Sequence, residues 1–173
     1  TIDTTRVLFK GRDYYTVVDV PGHREFIKNM LTGASHAQVA VMVVSAPNGV
    51  EEQTRRHAFL LKMLGIRQVI AVINKMDLMG YSREAFGKVK DATAGLFDSL
   101  GYHDITFIPI SAAEGDNVYR RSQRMGWYTG PTFIEALDAV EPVPVAGKAL
   151  RFSVQDTYRV DGVGVTVGRV DSG

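Results

Sequence analysis

Three apolar runs of strand length recur along the chain, and helix-like segments separate them. The runs occupy residues 38–46, 69–73 and 106–110, and apolar residues at helical spacing fill 53–64 and 83–100. Strands that alternate with helices form mainly parallel sheets. The sequence therefore predicts an α/β fold, and the continuous run at 38–46 predicts a strand buried on both faces.

The flanking segments predict further elements. β-branched and aromatic residues at 4–9 and 14–20 surround a glycine-containing turn, which is typical of an antiparallel hairpin. One helix is expected to begin at Arg24 and end near Gly33, and another to span 132–140. Ser82 is expected to cap the helix at 83–100. Beyond residue 148 the pattern becomes β-like and glycine-rich. For the helix at 53–64, the side chains expected to face inward are Phe59, Leu60, Met63 and Leu64.

Composition restricts the class of protein more than its partners. The 173 residues carry a net charge of +1 and are 45% hydrophobic, which is ordinary for a globular domain. The chain has no cysteine, so disulfides and thiolate metal sites are excluded and a cytoplasmic protein is expected. No apolar run approaches the roughly 18 residues of a membrane helix, so no membrane partner is expected. Because the chain starts without Met and stops within a β-like pattern, it is expected to be part of a longer protein.

Polar residues follow the second apolar run directly, in the order Asn74-Lys75-Met76-Asp77. Ligands of open α/β sheets bind at the carboxyl ends of strands. An Asp carboxylate there can accept hydrogen bonds from the N1–H and N2–H₂ groups of guanine, which adenine does not offer. Asn74 can bond the other side of the base or tie loops together, and the Lys75 stem can lie along the base. The segment predicts contact with a guanine nucleotide.

Two other polar segments follow strands in the same order along the chain. In the stretch 19–23, Asp19 suits a Mg²⁺ site, Gly22 allows close approach of a phosphate, and His23 can orient an attacking water. Ser111-Ala112 follows the third apolar run and can offer backbone N–H groups to the guanine carbonyl. Each segment alone fits an ordinary turn, but their shared order at strand ends makes chance an inadequate explanation.

With these motifs the chain resembles the translation-factor GTPases, in particular the branch that contains elongation factor 1-alpha and the GTPase subunit of sulfate adenylyltransferase. The matching stretches lie at residues 1–3, 19–30, 53–57, 74–77, 115–118, 125–132 and 168–173. The resemblance implies a P-loop NTPase fold, a three-layer G domain, at residues 1–141. It also implies a linker at 142–148 and the start of a second, β-barrel domain at 149–173.

The resemblance implies roles for individual residues. Thr1 resembles the switch I threonine that touches Mg²⁺ and the γ-phosphate, and Asp19 resembles the metal-organising Asp of switch II. Gly22 is similar to the γ-phosphate sensor, and His23 to the residue that positions the hydrolytic water. The guanine-reading set is implied to be Asn74, Lys75 and Asp77, supported by Ser111 and Ala112. The implied ligands are GTP or GDP and Mg²⁺.

One family motif is missing from these 173 residues, the phosphate loop G-x-x-x-x-G-K-[S/T]. In the family this loop precedes the position of Thr1, together with a first strand at the centre of the sheet. Without that strand, unpaired edges are expected to face one another between 16–20 and 39–44. The 173 residues alone are expected to be inactive and to bind GTP weakly or not at all; micromolar affinity in calorimetry would contradict this.

Three physiological roles are open. Residues 24–30 and 155–173 resemble elongation factor 1-alpha, whose partners are aminoacyl-tRNA, the ribosome and a nucleotide exchange factor. The alternative is the regulatory subunit that works with the small subunit of sulfate adenylyltransferase. It is favoured by residues 53–57, with Arg56 where elongation factors usually carry Glu, and by residues 74–78 with Tyr81-Ser82. A nucleotide-binding scaffold without hydrolysis is disfavoured by the presence of Asp19 and His23. The elongation-factor interpretation is preferred.

The remaining candidates favour structural roles. Trp127 beside Tyr128 predicts a packed loop anchor, because a large aromatic side chain is most often buried. Arg120, Arg121 and Arg124 form a basic cluster that predicts a solvated face.

Overall fold

The computed structural model describes residues 5–12, 14–19, 37–141 and 149–172, and the structural statements below refer to these. The predicted helix at 24–33 and the predicted linker at 142–148 lie outside the described residues. The chain divides into two compact units, Thr1–Val140 and Glu141–Gly173. The assignment of residues 149–173 to a β-barrel domain stays a prediction.

The first unit opens with an antiparallel hairpin, as predicted. Strand β1 spans Thr5–Lys10 and pairs with strand β2, which spans Tyr14–Asp19. The Tyr15 hydroxyl donates a hydrogen bond to Asp138 Oδ1 at 2.6 Å, and its ring stacks on Phe9 with centroids 5.0 Å apart. These contacts attach the hairpin to the helix that carries Asp138.

A three-stranded parallel sheet confirms the predicted α/β class. Its strands are β3 (Val39–Ser45), β4 (Gln68–Asn74) and β5 (Ile105–Pro109), in the order β3-β4-β5. Residues 69–73 of the middle strand are all buried, as expected for a strand that packs on both faces. The register places Ser45 beside Asn74 and Ile73 beside Pro109. The carboxyl ends of all three strands therefore meet at one edge.

Helices lie on both faces of this sheet. Helix α1 spans Glu52–Met63, α2 spans Arg83–Ser99 and α3 spans Phe133–Asp138. The predicted Ser82 cap is confirmed, since its Oγ accepts from the Ala85 N–H at 3.2 Å. One buried cluster joins α1 and α2 to the sheet, and a second joins α3 to the opposite face. The result is the three-layer arrangement expected of the first unit.

The predicted inward face of α1 is partly wrong. Thr54, Ala58 and Leu61 are its buried residues, whereas Phe59 is 54% exposed and Met63 is 69% exposed. Small side chains at positions 54 and 58 allow the helix to lie close to the sheet. The bulky pair Phe59 and Met63, spaced four residues apart, then falls on the outer surface.

The prediction that β3 is buried on both faces is also wrong. Met42 and Val44 are buried, but Val41 is 38% exposed and Val43 is 58% exposed. Val41 and Val43 alternate with the buried pair and line a cavity of about 550 Å³. The run at 38–46 is therefore apolar throughout, but the side chains of Val41 and Val43 on this face of β3 are not buried.

The same cavity separates β2 from β3. The hairpin and the parallel sheet are distinct sheets, and no described strand pairs with either of the facing edges. Val17 and Val18 line the cavity from β2, opposite Val41 and Val43 of β3. Over the described residues this confirms the prediction of two unpaired edges that face one another.

The second unit is a single antiparallel hairpin. Strand β6 spans Arg151–Val160, and β7 spans Val163–Ser172. Asp161 and Gly162 form the turn with φ angles of 49° and 82°. Every side chain of β6 is exposed, so the hairpin has no core of its own. Among the described residues, no helix has the length and apolar character needed to span a membrane.

Candidate functional site

Strand β4 ends in a sharp turn that exposes alternate side chains. Lys75 has a left-handed backbone (φ 66°), and a short 3-10 helix follows over Met76–Met79. Met76 is completely buried, whereas Lys75 is exposed and Asp77 half-buried. The buried Met76 anchors this segment, residues 74–81, which we name the Asp77 turn. It presents Lys75 and Asp77 at the carboxyl edge of the sheet.

Asp77 is held by a residue from the next strand end. Ser111, completely buried just beyond β5, donates from Oγ to Asp77 Oδ1 at 2.6 Å. The Met76 N–H also donates to the Ile110 carbonyl at 3.2 Å. Each carboxylate oxygen has more than one acceptor position, so Asp77 keeps acceptor capacity for a ligand. The structure brings the predicted residues Asp77 and Ser111 together.

Asn74 ties the two strand ends through its side-chain oxygen. Its Oδ1 accepts from the Lys75 N–H at 2.7 Å and from the Ala112 N–H at 3.0 Å. Both partners are donors, so the oxygen of the amide must face them and Nδ2 must point elsewhere. Asn74 therefore has the loop-tying role that the sequence suggested, and its Nδ2 is directed away from these two groups.

The backbone N–H groups predicted for the guanine carbonyl already have partners. The Ser111 N–H donates to the Asp116 carbonyl at 3.2 Å, and the Ala112 N–H donates to Asn74. A ligand carbonyl would have to share or replace Asn74 as the acceptor for Ala112. Ser111 instead contributes its hydroxyl, which the sequence did not predict.

The segment 111–117, which we name the Ser111 loop, depends on a buried Asn. Asn117 is 2% exposed and has a left-handed backbone (φ 56°). Its Nδ2 donates to the Pro109 carbonyl at 2.9 Å, and its Oδ1 accepts from the Ser122 N–H at 2.8 Å. No role for Asn117 was predicted. The sequence signal for its left-handed backbone is its position directly after Gly115-Asp116, because Asn adopts the left-handed conformation more readily than most residues.

Two residues of the loop at 118–130 contact Tyr81. Trp127 packs on Phe86 with ring centroids 5.5 Å apart and donates from Nε1 to the Tyr81 carbonyl at 2.9 Å, which confirms the predicted loop anchor. The Arg124 guanidinium donates to the Tyr81 hydroxyl, and this hydrogen bond is the main cause of its raised pKa. Arg124 is 54% exposed, as predicted for a solvated face, and it also has defined hydrogen-bond and ion-pair partners.

Tyr128 is a further aromatic residue of this loop with a partly buried hydroxyl. Burial raises the pKa of Tyr128 to about 12, and its hydroxyl lies 3.1 Å from both the Phe107 and the Pro131 carbonyl. The phenol therefore stays protonated and can donate at neutral pH. It holds the loop against β5.

The other predicted site residues are Thr1, Asp19, Gly22 and His23. Asp19 is the last residue of β2 and is exposed, whereas Thr1, Gly22 and His23 lie outside the described residues. No group of three or more His, Cys, Asp or Glu side chains in the described ranges can hold a metal ion. A Mg²⁺ ion that accompanies phosphates needs only one or two protein carboxylates. A carboxylate at Asp19 is compatible with such an ion.

An α/β sheet with this set of polar groups at adjacent strand ends defines a nucleotide-binding class of domain. The chain belongs to the elongation factor Tu GTP binding domain family, whose model matches residues 1–143. It is 52% identical over 176 residues to elongation factor 1-alpha of Thermococcus gammatolerans and 51% identical to that of Pyrococcus furiosus. Both alignments cover 100% of this chain and 41% of the relative. The chain therefore spans about two fifths of the length of these relatives.

Solved structures of translation factors have the same fold. Sup35 complexed with GMPPNP matches with a TM-score of 0.66 and 29% identity, over 97% of this chain and 42% of that one. The elongation factor SelB of Methanococcus maripaludis, in complex with the GTP analogue GppNHp, matches with a TM-score of 0.68 and 25% identity. That match covers 100% of this chain and 36% of SelB. The predicted resemblance to the translation-factor GTPases is confirmed.

Proposed function

We propose that this chain reads the guanine base in a GTP-hydrolysing translation factor of the elongation factor 1-alpha type. The observation that carries the proposal is the hydrogen bond from Ser111 Oγ to Asp77 Oδ1, at 2.6 Å. It fixes a carboxylate at the carboxyl ends of β4 and β5, where ligands of open α/β sheets bind. Identity of about half of all residues to elongation factor 1-alpha supports the same conclusion.

The proposed binding mode assigns one part of the base to each side chain. The Asp77 carboxylate accepts from N1–H and N2–H₂ of guanine, while the Lys75 stem lies along one face of the base. Asn74 donates from Nδ2 to the acceptor atoms on the opposite side of the ring. The Ala112 N–H, now 3.0 Å from Asn74 Oδ1, turns toward the guanine carbonyl.

Hydrolysis is proposed to depend on Thr1 and on the segment 19–23, which begins at the last residue of β2. Thr1 and Asp19 are the residues that would hold Mg²⁺, which neutralises phosphate charge when bound. Gly22 lets a backbone N–H approach the γ-phosphate because it has no Cβ. His23 orients the attacking water. These assignments separate the residues for hydrolysis from the residues for base recognition.

The biological role proposed for the full-length protein is delivery of aminoacyl-tRNA to the ribosome in the cytoplasm, with an exchange factor to release GDP. The alternative is the GTPase subunit of sulfate adenylyltransferase, which the sequence at 53–57 favours through Arg56. Pulldown of aminoacyl-tRNA by the full-length protein would support the first role. Capture of the sulfate adenylyltransferase small subunit in its place would support the second.

The base-reading role is tested by Asp77→Asn in the full-length protein. An amide nitrogen would then face the guanine donors, so GDP affinity should fall by about 100-fold, as expected when two hydrogen bonds to a charged group are lost. Affinity for XDP should rise, because xanthine offers a carbonyl where guanine has its amine. Titration with labelled nucleotides measures both constants.

The matched control is Asp104→Asn, the same change at an exposed position before β5. It should leave both affinities unchanged. If Asp77→Asn also binds GDP normally, Asp77 does not read the base and the proposed function loses its main support.

A further inference from the structure

Arg124 joins the two segments that hold Asp77. Its guanidinium bonds the Tyr81 hydroxyl and lies 5.1 Å from the centroid of the Tyr81 ring. Tyr81 is the last residue of the Asp77 turn. The same guanidinium lies 3.5 Å from Glu114 Oε2 and 3.7 Å from Asp116 Oδ2, both in the Ser111 loop. One cation therefore contacts both segments.

The backbone of Tyr81 is fixed in an uncommon conformation. Its φ of 58° lies in the left-handed region, which is disfavoured for a bulky side chain. Its N–H donates to the Met76 carbonyl at 2.9 Å, and its own carbonyl accepts from Trp127 at 2.9 Å. A disfavoured conformation that its neighbours hold in place in this way points to a functional constraint. Here it accompanies the contact between the phenol and Arg124.

Asp116 links Arg124 to the base-reading carboxylate. Its Oδ2 is buried and accepts no hydrogen bond from any described residue, so the nearby guanidinium balances its charge. The backbones of Asp116 and Ser111 pair in both directions, at 3.1 and 3.2 Å. Ser111 in turn holds Asp77. Without Arg124 a buried carboxylate oxygen would lack its counter-charge within the loop that places Ser111.

We propose that Arg124 is a positioning residue for guanine recognition. Through Tyr81 and Asp116 it fixes the Asp77 turn against the Ser111 loop and so aims Asp77 at N1–H and N2–H₂ of the base. Arg suits this role better than Lys, because its planar fork can stack on a ring while it bonds a hydroxyl and faces carboxylates. The inference rests on the proposed function above.

The test compares GDP with IDP in the full-length protein, because hypoxanthine lacks the N2 amine that Asp77 reads. Arg124→Gln should lower GDP affinity by about five- to tenfold, the loss expected for a hydrogen bond to a charged group. IDP affinity should fall clearly less, so the preference for GDP decreases. The control is Arg121→Gln on the same loop, where an exposed Arg lies 3.6 Å from Glu135. It should leave both affinities unchanged.

A second variant, Tyr81→Phe, keeps the ring and removes the hydroxyl. In the double variant Tyr81→Phe/Arg124→Gln, the fold loss of GDP affinity should be smaller than the product of the two single losses, because the two residues belong to one network. Arg124→Lys should restore only part of the GDP preference.

Equal losses of GDP and IDP affinity in Arg124→Gln, with a lower thermal midpoint, would show a purely structural role and overturn the proposal. An Arg124→Gln protein that binds GDP and IDP as tightly as the control Arg121→Gln would also overturn the proposal. A wild-type protein without preference for GDP over IDP would refute the proposed function itself, and this inference with it.

Discussion

The carboxyl ends of β4 and β5 differ sharply from the facing edges of β2 and β3. At the first place, Ser111 Oγ donates to Asp77 Oδ1 at 2.6 Å, and the Ala112 N–H donates to Asn74 Oδ1 at 3.0 Å. At the second, valine side chains line a cavity of about 550 Å³ and no described strand joins the two edges. The strand ends of β4 and β5 are therefore held by defined hydrogen bonds, whereas on the β2 side the facing edges are joined by no described strand.

This difference suggests that recognition and hydrolysis depend on separable parts of the chain. The Asp77 turn and the Ser111 loop hold each other, so the proposed base recognition would depend on contacts at β4 and β5. Among the residues proposed for hydrolysis, Asp19 is the last residue of β2, in the other region. A change on one side should therefore affect one function and spare the other.

The largest effect that separates the two sides is expected from His23→Ala in the full-length protein. Loss of the group proposed to orient the attacking water should slow GTP hydrolysis by about 100- to 1,000-fold, a normal range for one positioned side chain. Affinity for GTP should stay nearly unchanged, because the role proposed for His23 is in hydrolysis and not in binding the base. Single-turnover hydrolysis and nucleotide titration measure the two quantities.

The control for His23→Ala is His103→Ala, since His103 is exposed and lies 3.6 Å from Asp98 on the surface. It should hydrolyse GTP at the normal rate. Unchanged turnover in His23→Ala would remove that residue from the mechanism, and a parallel loss of affinity would contradict the separation of the two sides.

A smaller effect is expected from the difference in packing between β3 and β4. Val43 and Val72 are partners in the parallel register, yet Val72 is 2% exposed and Val43 is 58% exposed. Val72→Ala should reduce the free energy of unfolding by about 2 kcal/mol, because it leaves a cavity in the core. Val43→Ala should reduce it by less than about 1 kcal/mol.

Urea unfolding followed by the fluorescence of Trp127, the single tryptophan, reports on the first unit. Because the substitution is the same at both positions, a difference in midpoint reflects burial alone. Equal midpoints would mean that the exposed face of β3 is covered, and the contrast between the two regions would be lost.

Local patterns predicted the parts of the fold that local physics determines. The apolar run before Asn74 forms β4, and Ser82 caps α2, because strand burial and capping depend on neighbouring residues. The inward face of α1 was assigned incorrectly, since two apolar stripes compete and small residues at 54 and 58 decide which one packs. Hydrophobicity alone favours the bulkier Phe59 and Met63.

The site was predictable to the extent that it lies at strand ends. Asn74 and Asp77 are recognisable from their position after a strand. The role of the Ser111 hydroxyl was not predictable, because it depends on the register between two strands and joins residues that are 34 positions apart in the sequence. The contact of Arg124 with Tyr81 spans 43 positions and involves a left-handed turn, which no sequence pattern indicates for a tyrosine.

The smallest of these effects concerns the hydrogen bond that joins the two segments proposed to read the base. Ser111→Ala removes the hydroxyl that donates to Asp77 Oδ1 at 2.6 Å, in a completely buried position. GDP affinity should fall by about tenfold, since a hydrogen bond to a charged group is lost and Asp77 is free to turn away from the base. The rate of hydrolysis by the GTP-bound protein should not change, because the β2 side is untouched.

Ser99→Ala, at an exposed position where Oγ donates to the Leu96 carbonyl, is the matched control and should bind GDP normally. A Ser111→Ala protein that binds GDP normally but hydrolyses GTP slowly would reverse the assignment of the two sides.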